Sequence, residues 1–228
     1  MQYARILIVE DDPIASEVLA GWARHHGSSI TSVASTAEAD SAIAGGEYDL
    51  ILSDVHLPGN HRLEWVERIL ASDFPPPLVL LTGNPELETT LRAANLPVAG
   101  YLVKPPDFTA LTTLAQRLVG DFRRRRTLRE LSRDVAVLLT RSGGETDAVR
   151  EQLLHLSHSL AAEAGANPRA VAVAAAEPPW RTAIADTIAT LERTKHSFRS
   201  KELGELRQRL RRLVPDAPAA GVAGTAAA

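Results

Sequence analysis

The sequence predicts an α/β fold in its first 120 or so residues, a doubly wound parallel sheet of five βα units, followed by an all-α module. Three observations predict it. Short apolar runs alternate with longer segments of helical period up to about Gly120. Beyond that point strand-like runs cease and apolar residues recur at spacings of three and four. The chain also has 228 residues, whereas one hydrophobic core commonly serves about 100–150, so two units are expected.

The elements follow in order. Arg5–Val9 reads as a strand, its residues apolar without a break from Ile6 to Val9. Asp12-Pro13 suits a helix start, and Ile14, Val18, Leu19 and Trp22 mark one face of a helix to His26. The second strand is read over Ser29–Val33 and its helix over Thr36–Ala44. A third strand at Asp49–Ser53 precedes a helix at about Leu63–Ala71. Leu78–Leu81 and Gly100–Val103 complete the sheet, with a helix over Glu86–Ala94 between them and a fifth beginning near Asp107.

In the second half, Arg123–Arg126 precedes Leu128, Leu131, Val135, Leu138 and Leu139, which share a helix face. Ser142-Gly143-Gly144 is a stop signal. Thr146–Ala164 carries Val149, Leu153, Leu156 and Leu160, with Gly165 as its cap. Asn167-Pro168 opens a helix of Ala and Val that Pro178-Pro179 ends. A further helix contains Ile184, Ile188 and Leu191, and the last, Ser200–Val214, is striped by Leu203, Leu206, Leu210 and Leu213. After Pro215 the Ala/Gly/Pro tail lacks the apolar bulk to order itself. The expected division is thus 1–122, 123–214 and a disordered tail 215–228.

Residues 1–120 hold 7 Lys/Arg against 15 Asp/Glu, and the remainder 18 against 13, so an acidic half precedes a mildly basic one. There is no cysteine, which excludes disulfides and thiolate chemistry and agrees with a reducing cytoplasm. The first residues do not read as a secretory signal, and no apolar stretch approaches the roughly 20 residues of a membrane span.

Ligands of open parallel sheets bind beyond the carboxyl ends of the strands. Glu10, Asp11 and Asp12 follow the first strand, Asp54 the third, Thr82 the fourth and Lys104 the fifth. A carboxylate accepts a phosphoryl group only when both negative charges are screened, and Mg²⁺, which prefers oxygen ligands and retains waters, does this. Asp11, Asp54 and the backbone carbonyl of His56 would hold the ion, and Asp12 a coordinated water. Asp54 would be the nucleophile, forming an aspartyl phosphate. Lys104 would pair with one phosphoryl oxygen, and the Thr82 hydroxyl would donate to another.

At these residues the chain resembles the receiver domains of bacterial two-component response regulators, over about residues 4–120. The motifs are Glu10-Asp11-Asp12, Ser53-Asp54-Val55-His56-Leu57-Pro58-Gly59, Leu81-Thr82-Gly83 and Tyr101-Leu102-Val103-Lys104-Pro105. The resemblance implies a flavodoxin-like (βα)₅ fold, with Asp11, Asp12, Asp54, Thr82 and Lys104 as active-site positions and phosphorylation of Asp54. The phosphodonor would be a sensor histidine kinase or phosphotransfer protein. It also implies that Tyr101 swings inward as Thr82 turns to the phosphate, that Lys104-Pro105 is cis, and that the domain catalyses only its own phosphorylation and dephosphorylation. The family commonly has an Asp-Gly or similar pair where this chain has His61 and Arg62. His56 and Asn84 fall where family members vary and tune dephosphorylation.

The helical half carries no signature of cyclic-dinucleotide synthesis or hydrolysis. His155 and His158 stand three apart with no evident metal partner, and His158 lacks the lysine and glycine usual after a phosphotransfer histidine. The leucine stripes point to helix packing, and the expected output is a module that dimerises or binds a protein partner, joined through an extension of the fifth helix. The alternative is a DNA-binding transcriptional regulator using Arg123–Arg126 and Arg207, Arg209, Arg211 and Arg212, though glutamates interleave those arginines.

Overall fold

The computed structural model describes residues 4–58, 63–85, 87–141, 147–165, 179–193 and 201–215. The chain divides into two compact units, Met1–Arg124 and Arg125–Ala228.

The first unit contains β1 (Arg5–Val9), α1 (Pro13–His25), β2 (Ser29–Val33), α2 (Thr36–Gly45) and β3 (Leu50–Asp54). These are followed by α3 (Glu64–Leu70), β4 (Leu78–Thr82), α4 (Leu87–Asn95), β5 (Gly100–Val103) and the start of α5 (Phe108–Arg141). The sheet order is β2-β1-β3-β4-β5 with every pairing parallel. The order reverses between β1 and β3, which places a crevice beyond their carboxyl ends.

The period of two in a strand explains why helices cover both faces. Ile6, Ile8, Leu50, Leu52, Val79 and Leu81 pack with α1 and α5 through Leu19, Trp22, Leu111 and Ala115. Leu7, Val9, Ile51, Leu78 and Leu80 pack with α2, α3 and α4 through Ala39, Trp65, Val66 and Ala93. The three central strands are apolar on both faces because neither face meets water. Gly100 opens β5 where space is scarce, since a Cβ there would lie 3.0 Å from Leu114 Cδ2 and 3.4 Å from Val79 Cγ1.

The apolar face of α1 differs from the expected one. Leu19 and Trp22 are buried, but Ile14 and Val18 are 75% and 51% exposed. The buried stripe is Leu19, Ala20, Trp22 and Ala23. The two alanines allow close approach to the sheet, and a face read from large side chains alone rotates away from them.

Nothing between Phe108 and Arg141 interrupts α5, so the segment from Arg123 is an extension of the fifth helix, as expected. No proline occurs there, and Gly120 has open space around it. Arg123 anchors the helix: its Nη2 lies 2.7 Å from Oδ2 of the buried Asp49, which also accepts from Arg5 N at 2.9 Å.

The second unit contains the later turns of α5 with α6 (Asp147–Gly165), α7 (Pro179–Arg193) and α8 (Lys201–Leu213). One core joins them, built from Leu128, Leu131, Val135, Leu153, Leu156, Ile184, Ile188, Leu206 and Leu210, among others. Most residues of the leucine stripes are therefore buried within the chain, with Leu139 and Leu213 partly buried. The expected stop at Ser142-Gly143-Gly144, the helix after Asn167-Pro168 and the tail beyond Pro215 lie outside the described residues. No helix among the described residues is long and apolar enough to cross a membrane.

Candidate functional site

Asp54 is the last residue of β3 and is 7% exposed. It continues the Leu50, Leu52 alternation and so shares a sheet face with Ile6 and Ile8. Glu10 extends that second series by one step, and its backbone N–H still bonds Val33 O at 2.9 Å. Both carboxylates therefore reach the same side of the carboxyl edge. Glu10, Asp11 and Asp54 bring one carboxylate oxygen each within 4.8 Å of one another, the one such acidic group among the described residues.

Lys104 follows β5 and bridges this group. Its Nζ lies 2.7 Å from Asp54 Oδ2 and 2.5 Å from Glu10 Oε2. The Lys104-Pro105 peptide is cis, as the motif implies. Burial pulls the Lys104 ammonium down, but hydrogen bonds and attraction from Asp54 and Glu10 outweigh it and hold the group above its ordinary value. Burial raises the Glu10 carboxyl, and the Lys104 hydrogen bond and charge only partly oppose this.

The acid pair that meets Asp54 is Glu10-Asp11, one residue earlier than the Asp11-Asp12 expected from the sequence. Asp12 instead serves the helix. It is exposed, and its Oδ1 accepts from Ile14 N at 2.8 Å as the N-cap of α1. A proline-led first turn leaves few amides for a cap to meet, and Ile14 N is the one Asp12 takes. Three adjacent acids look alike in sequence, which hides Glu10 among them. The strand alternation is the signal that separates them.

The remaining positions surround this centre. His56 N donates to Asp54 Oδ1 at 3.2 Å, and its exposed ring brings Nε2 to 3.5 Å from Asn84 O. Thr82 is fully buried, and its hydroxyl donates to Asn84 O at 3.0 Å and accepts from Asn84 N at 3.2 Å. It is thus engaged by its own loop. Tyr101 is partly buried, and its hydroxyl oxygen accepts from Thr90 Oγ1 at 3.4 Å. His61 and Arg62 lie outside the described residues.

The donor set suits a hard divalent cation. It offers three carboxylates, of which those of Glu10 and Asp54 are buried.

The features singled out in the helical half do not form a comparable centre. His155 and His158 line a cavity of about 380 Å³ with Ser159, Ala162, Glu163 and Trp180. Among the described residues its lining has a carboxylate and no Lys or Arg, an unfavourable setting for a phosphoryl group. Three of the four arginines of α8 are engaged within the chain: Arg211 and Arg207 reach Glu192 at 2.5 and 3.6 Å, and Arg209 pairs with Asp134.

Comparison with known proteins agrees with the first unit. Residues 6–116 match the family described as response regulator receiver domain. The chain is 33% identical over 105 residues to the uncharacterized transcriptional regulatory protein YkoG of Bacillus subtilis (strain 168), covering 46% of each chain. It is 29% identical over 115 residues to the transcriptional regulatory protein PmrA of Pectobacterium parmentieri, covering 50% of this chain and 52% of that one. The chain thus spans about half the length of these relatives. The signal receiver domain of an HD domain-containing protein from Pseudomonas fluorescens Pf-5 has the same fold, with a TM-score of 0.50 at 23% identity over 54% of this chain and 98% of that one.

Proposed function

Residues 6–116 of this chain are a response regulator receiver domain, and from that premise we propose that Asp54 accepts a phosphoryl group from a sensor histidine kinase or phosphotransfer protein in a Mg²⁺-dependent reaction. The observation that carries this reading is the meeting of Asp54 with Lys104 and the carboxylates of Glu10 and Asp11 at the point where strand order reverses.

Asp11 and Asp54 would ligate Mg²⁺, with the His56 carbonyl as a further oxygen and the Glu10 carboxylate adding negative charge beside them. When bound, the ion screens the charge of the nucleophile and of the incoming phosphoryl group. Asp54 supplies the attacking carboxylate oxygen; the N–P bond of a phosphohistidine donor breaks, and the histidine nitrogen recovers a proton. Lys104 transfers its ammonium from Asp54 Oδ2 to a phosphoryl oxygen. Thr82 leaves Asn84 to donate to another, and Tyr101 moves inward after it. The chemistry is confined to the chain's own aspartate, so the domain acts as a switch rather than on a separate substrate.

The helical unit would carry the output by binding a protein partner or a second copy of the chain, in the cytoplasm where the kinase domain acts. The relatives' description as transcriptional regulatory proteins favours a second reading, DNA binding by this half. Against it, Arg207, Arg209 and Arg211 of α8 already face carboxylates. A shift assay on random duplex at several salt concentrations separates the two, since phosphate binding weakens steeply as salt rises. The phosphorylation reading is tested by intact mass after incubation with acetyl phosphate and Mg²⁺. One added phosphoryl group is expected, lost with EDTA and in Asp54→Ala; undiminished addition in that variant overturns it.

A further inference from the structure

We propose that Glu67 and Arg92 form a positioning clasp that holds α4 where its loop keeps the Thr82 hydroxyl engaged with Asn84, and so sets how readily Asp54 is phosphorylated. This rests on the phosphorylation reading above.

Arg92 directs both Nε and Nη2 at Glu67 Oε1, at 3.0 and 2.8 Å. The pair joins α4 to α3. Helix α3 is itself fixed, because Trp65 is buried and its Nε1 donates to Asp40 Oδ1 of α2 at 2.9 Å. Among the described side chains of α4 only Ala93 is buried, and Leu91 is 56% exposed. These described side chains remove little apolar area from water, so polar contacts carry a large share of what fixes this stretch of α4.

The connection to the site is short. Thr82 ends β4, its hydroxyl is held by the backbone of Asn84, and α4 begins at Leu87. A shift of α4 therefore reaches the Thr82–Asn84 contact through a few residues of chain. Two residues from Arg92, Thr90 also touches the Tyr101 hydroxyl. The clasp stabilises the arrangement in which the Thr82 hydroxyl is engaged by Asn84 and the Tyr101 hydroxyl by Thr90. An ion pair with side chains 36% and 39% exposed is partly screened, so its loss should shift that equilibrium by about two- to fivefold.

The test uses the full chain with Glu67→Ala, with Arg92→Ala, and with the charge swap Glu67→Arg plus Arg92→Glu. Rates of labelling by acetyl phosphate in Mg²⁺ are compared with amide hydrogen exchange across 87–95. Each single variant should label about two- to fivefold faster and exchange faster in α4, and the swap should return both readouts toward the parent. Unchanged or slower labelling in the single variants overturns the clasp, including the case in which exchange alone accelerates. Labelling that persists in Asp54→Ala overturns the phosphorylation reading instead, and the exchange data keep the two failures apart.

Discussion

Lys104 Nζ stands 2.7 Å from Asp54 Oδ2, joining two residues 50 positions apart in sequence at the carboxyl edge of one sheet. The same ammonium lies 2.5 Å from Glu10 Oε2. One cation thus compensates two buried carboxylates, and it is already placed beside the oxygen that would become phosphorylated. Little reorganisation is then needed when charge arrives, which is how fixed electrostatics lower a barrier.

Replacing Lys104 with Met should leave Glu10 and Asp54 facing each other without compensation. The Mg²⁺-free protein is expected to lose about 2 kcal/mol in urea unfolding, and Mg²⁺ should restore part of this by binding the folded state. Labelling by acetyl phosphate should fall by about 10²-fold. A variant as stable and as readily labelled as the parent would contradict the role given to Lys104.

The raised Glu10 carboxyl gives a pH dependence of defined sign. The folded state holds this proton more tightly than the unfolded chain does, so the associated stability is complete below the ordinary value of 4.5 and is lost as pH rises through the higher folded value. In Mg²⁺-free unfolding series, Glu10→Gln should lose less stability over that interval than the parent. Saturating Mg²⁺ should shrink the difference in slope, because the ion favours the ionised carboxylate. Parallel curves for the two proteins without Mg²⁺ would contradict the assignment.

Leu131 is 1% exposed in the core of the second unit. Leu131→Ala should destabilise that unit by about 2–5 kcal/mol, with a melting temperature independent of protein concentration. A strongly concentration-dependent transition in the parent chain would mean that the stripe serves assembly as well.

Much of this is legible in the residues themselves. The buried strands of the first unit can be read from apolar runs, and the site follows because Asp54, Thr82 and Lys104 each fall at a strand end. What escapes has identifiable causes. Three consecutive acids conceal which of them face the crevice, and only the strand's period of two brings Glu10 in, while the N-cap takes Asp12 out. The face of α1 is misjudged from its large side chains because Ala20 and Ala23 bury as effectively as bulkier residues. Contacts such as Arg92 with Glu67 depend on how neighbouring helices lie on the sheet, which local spacing does not encode. In the second unit the leucine period marks the helices but not their partners, since core and oligomer seams use the same spacing.

The central claim is that a divalent ion and Lys104 together make Asp54 the phosphoryl carrier. It is tested most directly by treating the protein with acetyl phosphate and Mg²⁺, reducing the acyl phosphate with borohydride, and mapping the product by peptide mass spectrometry. The account predicts reduction of residue 54 to homoserine, in amounts that fall when Mg²⁺ is chelated or Lys104 is replaced. Modification at another carboxylate, or at residue 54 with equal yield in EDTA, would contradict it.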